Sequence, residues 1–162
     1  MEVGKLKKYP KVSKMDVSKK YIKMCEKAKE IQEMWKPQIG DWYLHKRYFN
    51  AGEISKFIIC QPIILERIWK NKDDYIWLPR QDQLQDILID ENYTEYENPL
   101  NLNRTMMDEV SEYVDKSPFW AGYKYKPYYH GFDTLEQLWL AFLMYKKYGK
   151  IWNENKGEWV NE

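Results

Sequence analysis

Residues 133–160 hold the pattern that most restricts the fold, because a helix and a hairpin follow each other there with clear boundaries. Asp133 and Thr134 can cap a helix, and Gln137 completes a Thr-x-x-Gln capping box. Gly149 suits the left-handed position that ends a helix. Apolar residues at helical spacing predict the buried face of this helix: Leu135, Leu138, Trp139, Phe142 and either Met144 or Tyr145. Residues 150–152 and 158–160 then predict the two strands of a closing β-hairpin, and the polar residues 153–157 predict its turn.

A second helical pattern runs from Val17 to Trp35, where apolar residues are spaced 4, 3, 4, 3 and 4 positions apart. Asp16 or Ser18 can cap this helix, and Pro37 ends it. The seam is too short for a stable coiled coil, so we expect the helix to pack on its own domain.

The middle of the chain contains strand patterns, rich in β-branched and aromatic residues. Residues 41–49 and 55–65 predict a hairpin around a turn at 50–52. Pro62 cannot donate to a sheet ladder, so we expect it at an edge or a bulge. Residues 74–78 are a candidate third strand.

Two shorter helices are expected between the sheet and the C-terminal helix. Pro79 precedes the first, whose apolar face contains Leu84, Ile87 and Leu88. Residues 90–104 have no regular period and predict an acidic loop. Thr105 can cap the second helix and Pro118 ends it, and its apolar side consists of Met106, Val110, Tyr113 and Val114.

Together these patterns predict an α+β fold in which a small antiparallel sheet packs with about four helices and a C-terminal hairpin closes the chain. A chain of 162 residues normally forms one domain. We assign that domain to residues 16–162 and a flexible Lys-rich tail to residues 1–15. No apolar run approaches the roughly 20 residues that cross a bilayer, and the N-terminus lacks the apolar region of a secretory signal. We therefore expect a cytoplasmic protein.

Reactive side chains are scarce: the chain has eight Trp but only two His and two Cys. None of these His and Cys residues has the spacing of a metal site, and the glycine motifs that cradle phosphates or hold a nucleophilic Ser are missing. We predict no catalytic residues, no metal ion and no cofactor. Cys25 and Cys60 are expected to be reduced thiols.

The best candidate for a functional surface is the aromatic and basic segment at residues 117–134. Its rings can stack bases and its cations can neutralise phosphates, so we predict ligand-binding residues there: Trp120, Tyr123, Lys124, Tyr125, Lys126, Tyr128, Tyr129 and His130. The alternative is structural, with the rings covering the C-terminal helix and the lysines in solvent.

Arg80 is a second candidate, because it follows Pro79 at a predicted helix start. Free backbone N–H groups and a cation can bind an anion together there. Asp82 and Asp86 in the same helix oppose phosphate binding. In the alternative, Arg80 bridges to acidic neighbours while Gln81, Gln83 and Gln85 are solvated.

Charge is unevenly distributed although the net charge is only +1. Residues 73–115 hold twelve acidic groups against Arg80 and Arg104. Such a region can be a solvated face, or it can dock on a basic protein groove.

Three segments carry a resemblance to a class of known proteins: residues 77–85 (WLPRQDQLQ), 28–43 and 135–160. They resemble small accessory proteins of bacteriophages and prophages from low-GC Gram-positive bacteria. The resemblance implies a role in modulating the host or countering its defences, and it implies no particular activity or site.

We therefore predict a non-enzymatic binding protein with two possible mechanisms. It either sequesters a nucleotide-like signal or blocks a host defence protein. One alternative is an enzyme that acts on nucleotides or nucleic acid with His45 or His130 as its general base. Another is a virion or assembly component, for which homo-oligomer contacts are expected.

Overall fold

The computed structural model describes residues 15–50, 56–59, 61–92, 99–116 and 131–162. Within these ranges the chain forms seven α-helices and five strands, which confirms the α+β class. The helices are α1 (Lys19–Lys27), α2 (Lys29–Met34), α3 (Lys46–Asn50), α4 (Pro62–Lys70), α5 (Gln81–Asn92), α6 (Pro99–Lys116) and α7 (Leu135–Tyr148). The strands are β1 (Trp42–His45), β2 (Lys56–Ile58), β3 (Tyr75–Leu78), β4 (Lys150–Asn153) and β5 (Glu158–Asn161).

The strands form two antiparallel sheets, one of three strands in the order β2-β1-β3 and one made of β4 and β5. In the first sheet, Tyr43 lies opposite Phe57 on one side and Trp77 on the other. In the second, Trp152 lies opposite Trp159, with ring centroids 5.0 Å apart. The predicted third strand and closing hairpin are both confirmed.

The helix predicted from Val17 to Trp35 is interrupted. Ser18 caps α1 as expected, because its hydroxyl accepts a hydrogen bond from the N–H of Tyr21 at 3.1 Å. The backbone leaves the helical region at Ala28, where ψ is 70°, and α2 then resumes. The break leaves the predicted apolar face in the core, because its residues Tyr21, Met24, Ala28, Ile31 and Trp35 are all buried.

Two segments expected to extend the strands are helical, which accounts for most of the helices beyond the predicted four. Residues 46–49 belong to α3, and residues 62–65 begin α4. The prediction that Pro62 occupies an edge or a bulge is wrong, because Pro62 is the first residue of α4. That position has no intrahelical partner for its N–H, so proline fits it without losing a hydrogen bond.

The helix expected to begin at Thr105 begins earlier, at Pro99. Thr105 lies inside α6, where its hydroxyl donates a hydrogen bond to the carbonyl oxygen of Asn101 at 3.0 Å. The acidic loop predicted at residues 90–104 is therefore helical at both ends, and its residues 93–98 lie outside the described ranges.

Helix α7 has the predicted boundaries. Thr134 caps it by accepting a hydrogen bond from the N–H of Gln137 at 3.2 Å, and Gln137 accepts one from the N–H of Asp133 at 3.1 Å. Gly149 ends it with a φ of 61°. One buried cluster that includes Trp139 of α7, Tyr21 of α1 and Leu84 of α5 forms the core. Among the described helices, none is long and apolar enough to cross a membrane.

Replacing Gly149 by alanine is expected to destabilise the protein by about 1 kcal/mol. No atom lies within 4 Å of a Cβ added there, so the cost is that of a left-handed backbone rather than a clash. Urea unfolding measures the change, and Gly149→Asn is the control because asparagine tolerates this conformation better. Equal stability of the Ala variant and the natural protein would contradict the assignment.

Candidate functional site

The aromatic segment predicted to bind a ligand lies almost entirely outside the described ranges, including Trp120, Tyr123, Lys124, Tyr125, Lys126, Tyr128, Tyr129 and His130. Its C-terminal flank is described. The Lys20 ammonium of α1 donates a hydrogen bond to the carbonyl oxygen of Gly131 at 2.5 Å and lies 5.8 Å from the ring centroid of Phe132. The segment therefore joins the described fold beside α1, at the start of α7.

Arg80 lies between β3 and α5, as predicted, and its guanidinium group is engaged by protein groups. Nε and Nη2 donate to the two carboxylate oxygens of Asp82 at 3.0 and 3.1 Å. Nη1 donates to the carbonyl oxygen of Gly40 at 3.1 Å. These contacts match the structural alternative, in which Arg80 bridges to an acidic neighbour.

The position of Arg80 depends on a buried network that the sequence interpretation missed. Asp41 is 1% exposed, and its carboxylate accepts hydrogen bonds from Trp35 Nε1 at 2.8 Å, Gln38 N at 3.0 Å and Gln83 Nε2 at 2.6 Å. The side-chain oxygen of Gln83 accepts from the N–H of Arg80 at 3.0 Å, which caps the start of α5. Gln83 is thus buried, not solvated as expected. The signal available in the sequence was a polar residue beside Leu84 on the apolar side of α5.

The Asp82 carboxylate remains charged under ordinary conditions. Partial burial alone would raise the pKa of Asp82, but the hydrogen bond and positive charge of Arg80 outweigh it and lower that pKa. The pair is exposed, so it contributes little to stability.

An open groove of about 540 Å³ surrounds this ion pair. We call it the Arg80 groove, and its described lining residues are Met15, Trp42, Arg80, Gln81, Asp82, Gln85 and Glu136. They include two carboxylates, one guanidinium group that one of these carboxylates already binds, two side-chain amides, an indole ring and a thioether. The volume falls within the range of ligand sites, and the lining is polar and slightly acidic.

A smaller cavity of about 220 Å³ lies between α6 and α7. We call it the α6–α7 pocket, and its described lining residues are Glu109, Glu112, Tyr113, Phe142, Tyr145 and Lys146. The ring centroid of Tyr113 lies 5.7 Å from that of Phe142 and 5.0 Å from that of Tyr145. Nζ of Lys146 lies 3.0 Å from Oε2 of Glu109. The pocket therefore combines three aromatic rings with two carboxylates and one ammonium group.

The phenol of Tyr113 stays neutral at physiological pH. Burial, followed by the proximity of Tyr145 and Glu162, raises the pKa of Tyr113 to about 12. Tyr113 thus offers the pocket a ring face and no charge.

His45 is the only one of the two candidate general bases that falls within the described ranges. Its Nδ1 accepts a hydrogen bond from the N–H of Arg47 at 3.1 Å, and its ring makes edge contacts with Tyr48 and Tyr75. An enzymatic role requires a carboxylate or hydroxyl partner beside the imidazole. In the described part of the chain, the imidazole of His45 contacts an amide and two rings instead.

Cys25 is a buried free thiol of α1, and burial raises its pKa far above the ordinary value, which keeps it protonated. Cys60 lies outside the described ranges. Across residues 15–50, 56–59, 61–92, 99–116 and 131–162, no group of three or more His, Cys, Asp or Glu side chains is arranged to hold a metal ion.

No protein-family model, curated protein or solved structure matches this chain, so the interpretation of these sites depends on their chemistry.

Proposed function

We propose that this protein acts by binding, and that its partner is a basic segment of a host defence protein in the host cytoplasm. The resemblance of residues 77–85 and 135–160 to phage accessory proteins supports a host-directed role. The chemistry of the two cavities supports a basic partner, and that chemistry is the observation on which the proposal depends.

Both cavities carry the same imbalance of charge among their described lining residues. The Arg80 groove has Asp82 and Glu136 against Arg80, and the α6–α7 pocket has two glutamates against one lysine. In each case a carboxylate of the same cavity binds the cation. The described lining residues of each cavity therefore include one more acidic than basic side chain, which favours cations over phosphates.

Both cavities also offer aromatic surface beside these carboxylates. Trp42 lines the Arg80 groove, while Tyr113 and Tyr145 line the α6–α7 pocket. Lysine and arginine side chains suit such sites, because their apolar stems pack on rings while their charged ends meet carboxylates.

The outer faces of two helices extend the acidic surface. Asp82 and Asp86 are exposed one turn apart on α5, and Asp108 and Glu112 are exposed one turn apart on α6. Both helices pack against α7. Like charges four positions apart cost a helix a few tenths of a kcal/mol, so this spacing does not serve helix stability. A basic partner would meet exposed carboxylates on both helices.

The capture of a nucleotide-like signal is the competing mechanism. It relies on the aromatic segment at residues 117–134, most of which lies outside the described ranges. The Arg80 groove gives it little support, because Glu136 and Asp82 would face a phosphate and the guanidinium group is already bound.

The double substitution Asp86→Lys and Asp108→Lys is expected to weaken binding to an immobilised lysine- and arginine-rich peptide about tenfold at low salt, since each exposed charge contributes up to about 1 kcal/mol. The two reversals also place opposite charges four positions apart within α5 and α6, which favours the helices, so unfolding would not explain a loss. Biolayer interferometry over a salt series measures the effect.

The matched control reverses two charges elsewhere, with Glu66→Lys on α4 and Glu158→Lys on β5, which gives the same net charge. Its affinity is expected to fall less than that of the first variant. Equal losses in both variants would indicate nonspecific attraction and refute the docking surface. A tighter complex with a nucleotide than with the peptide would favour the competing mechanism.

A further inference from the structure

We propose that the α6–α7 pocket is an anchor site for one lysine or arginine side chain of the partner, and that Lys146 occupies this site until the partner arrives. This inference rests on the proposed function, and it adds the ligand class and an internal competitor to it. Ring surface, carboxylates and limited volume coincide in this pocket.

The volume of the pocket limits the size of the ligand that it can hold. At about 220 Å³ it lies below the range of roughly 300–1,000 Å³ that holds cofactors and drug-sized molecules. It therefore suits a single side chain.

The rings select the charge of that side chain. The faces of aromatic rings are negative and attract cations within about 6 Å of their centroids. Tyr113 stacks obliquely on Tyr145, with an angle of 38° between their planes, and Phe142 closes the inner side of the pocket as a buried residue. Glu109 and Glu112 add two carboxylates to the same lining. An anion would meet repulsion from both the rings and the carboxylates.

Lys146 already brings an ammonium group to this pocket, where it pairs with the Glu109 carboxylate. Its side chain is 36% exposed and that of its partner Glu109 is 28% exposed. An ion pair that water reaches is weak, so an incoming cation can exchange with it. The chain's own lysine therefore lowers the affinity of the pocket for an external cation.

Replacing Lys146 by methionine is expected to tighten the binding of a lysine probe by about fivefold, because the competing charge is removed while most of the apolar stem is kept. The probe is Nα-acetyl-lysine methylamide, and NMR shifts of the Tyr113 and Tyr145 ring signals report binding. A pocket that had lost its structure would bind the probe less tightly, so a gain in affinity at the Tyr113 and Tyr145 rings separates a binding role from a structural one.

Two further measurements define the site. Glu112→Gln is expected to weaken the lysine probe several-fold, whereas Glu158→Gln on β5 removes an equal charge outside the pocket and leaves binding unchanged. The neutral analogue Nα-acetyl-norleucine methylamide is expected to bind at least tenfold more weakly than the lysine probe. Unchanged binding in the Lys146→Met variant, or equal binding of the neutral analogue, would overturn the anchor.

Failure of this inference differs from failure of the proposed function. If the basic peptide depends on Asp86 and Asp108 while the lysine probe shifts no ring signals, the docking surface stands and the anchor is refuted. If the probe responds to Lys146→Met while the peptide does not bind, the pocket takes a small cation and the proposed partner is refuted. Tighter binding of spermidine than of the peptide would also indicate a small-cation site and refute the proposed partner.

Discussion

Replacing Asp41 by alanine is expected to lower the free energy of unfolding by about 4 kcal/mol. The substitution leaves three donors without an acceptor: the indole N–H of Trp35, the backbone N–H of Gln38 and the amide of Gln83. A buried donor without a partner costs about 1–3 kcal/mol, and the hydrogen bonds of Trp35 and Gln83 to Asp41 are both buried. Urea unfolding followed by tryptophan fluorescence measures the change.

Two variants test the reason for this loss. Asp41→Asn keeps one acceptor oxygen and the shape of the side chain, so we expect a smaller loss than with alanine. Asp73→Ala removes an exposed carboxylate and is expected to change stability by less than about 0.5 kcal/mol. If Asp41→Ala cost no more than Asp73→Ala, the network would have no energetic role.

The same network determines the shape of the Arg80 groove. Gln83 links Asp41 to the N–H of Arg80, and Gly40 accepts a hydrogen bond from the guanidinium group. The loss of Asp41 would therefore disturb both the cap of α5 and the cation beside Trp42. Stability and binding are expected to fall together at this position, whereas reversing the exposed Asp86 is expected to weaken binding without a loss of stability.

Helix α7 could be predicted in detail because the signals that define its ends are local. Thr134, Gln137 and Gly149 act on backbone groups within a few residues of themselves, so neither the sheet nor the other helices alter them. The capping role of Ser18 could be predicted for the same reason. The apolar spacing predicted the buried face of α1 and α2, although it gave no sign of the break at Ala28.

Helices α3 and α4 could not be predicted from local preference. Residues 55–65 are rich in isoleucine and aromatic residues, which favours a strand. Among the described residues of this segment, Lys56–Ile58 pair with β1, and α4 then buries Ile68 in the core. The composition of this segment favours a strand, but tertiary packing makes the helix the more stable structure for residues 62–65.

The candidate sites could likewise be predicted where local signals define them, and were missed where residues distant in sequence meet. Arg80 was identified from its place at a helix start, but its partner Gly40 and the link from Asp41 to Gln83 cross about forty positions of the chain. The α6–α7 pocket was missed because Tyr113 and Phe142 were each assigned to the apolar face of a helix. Both assignments are correct, and the pocket exists only where the two faces meet.

A second large effect is expected from Asp16→Ala, which should lower the free energy of unfolding by about 3 kcal/mol. Asp16 is 6% exposed. One oxygen of its carboxylate accepts a hydrogen bond from the N–H of Ser18 at 2.7 Å. The other accepts from the hydroxyl of Thr134 and the amide of Gln137, both at 2.7 Å. One buried charge thus joins the starts of α1 and α7, where the positive ends of both helix dipoles favour it.

A double-mutant cycle separates the contribution of the Asp16 hydrogen bonds from that of the packing between α1 and α7. Asp16→Ala and Gln137→Ala each break the same hydrogen bond, so their combined loss should fall short of the sum by about 1–2 kcal/mol. Asp16→Ala combined with Gly149→Ala, at the opposite end of α7, is expected to be additive. Additive losses in both pairs would mean that packing alone aligns the two helices. A deficit confined to the first pair would show that the carboxylate fixes the start of α7, and with it the position of Glu136 in the Arg80 groove.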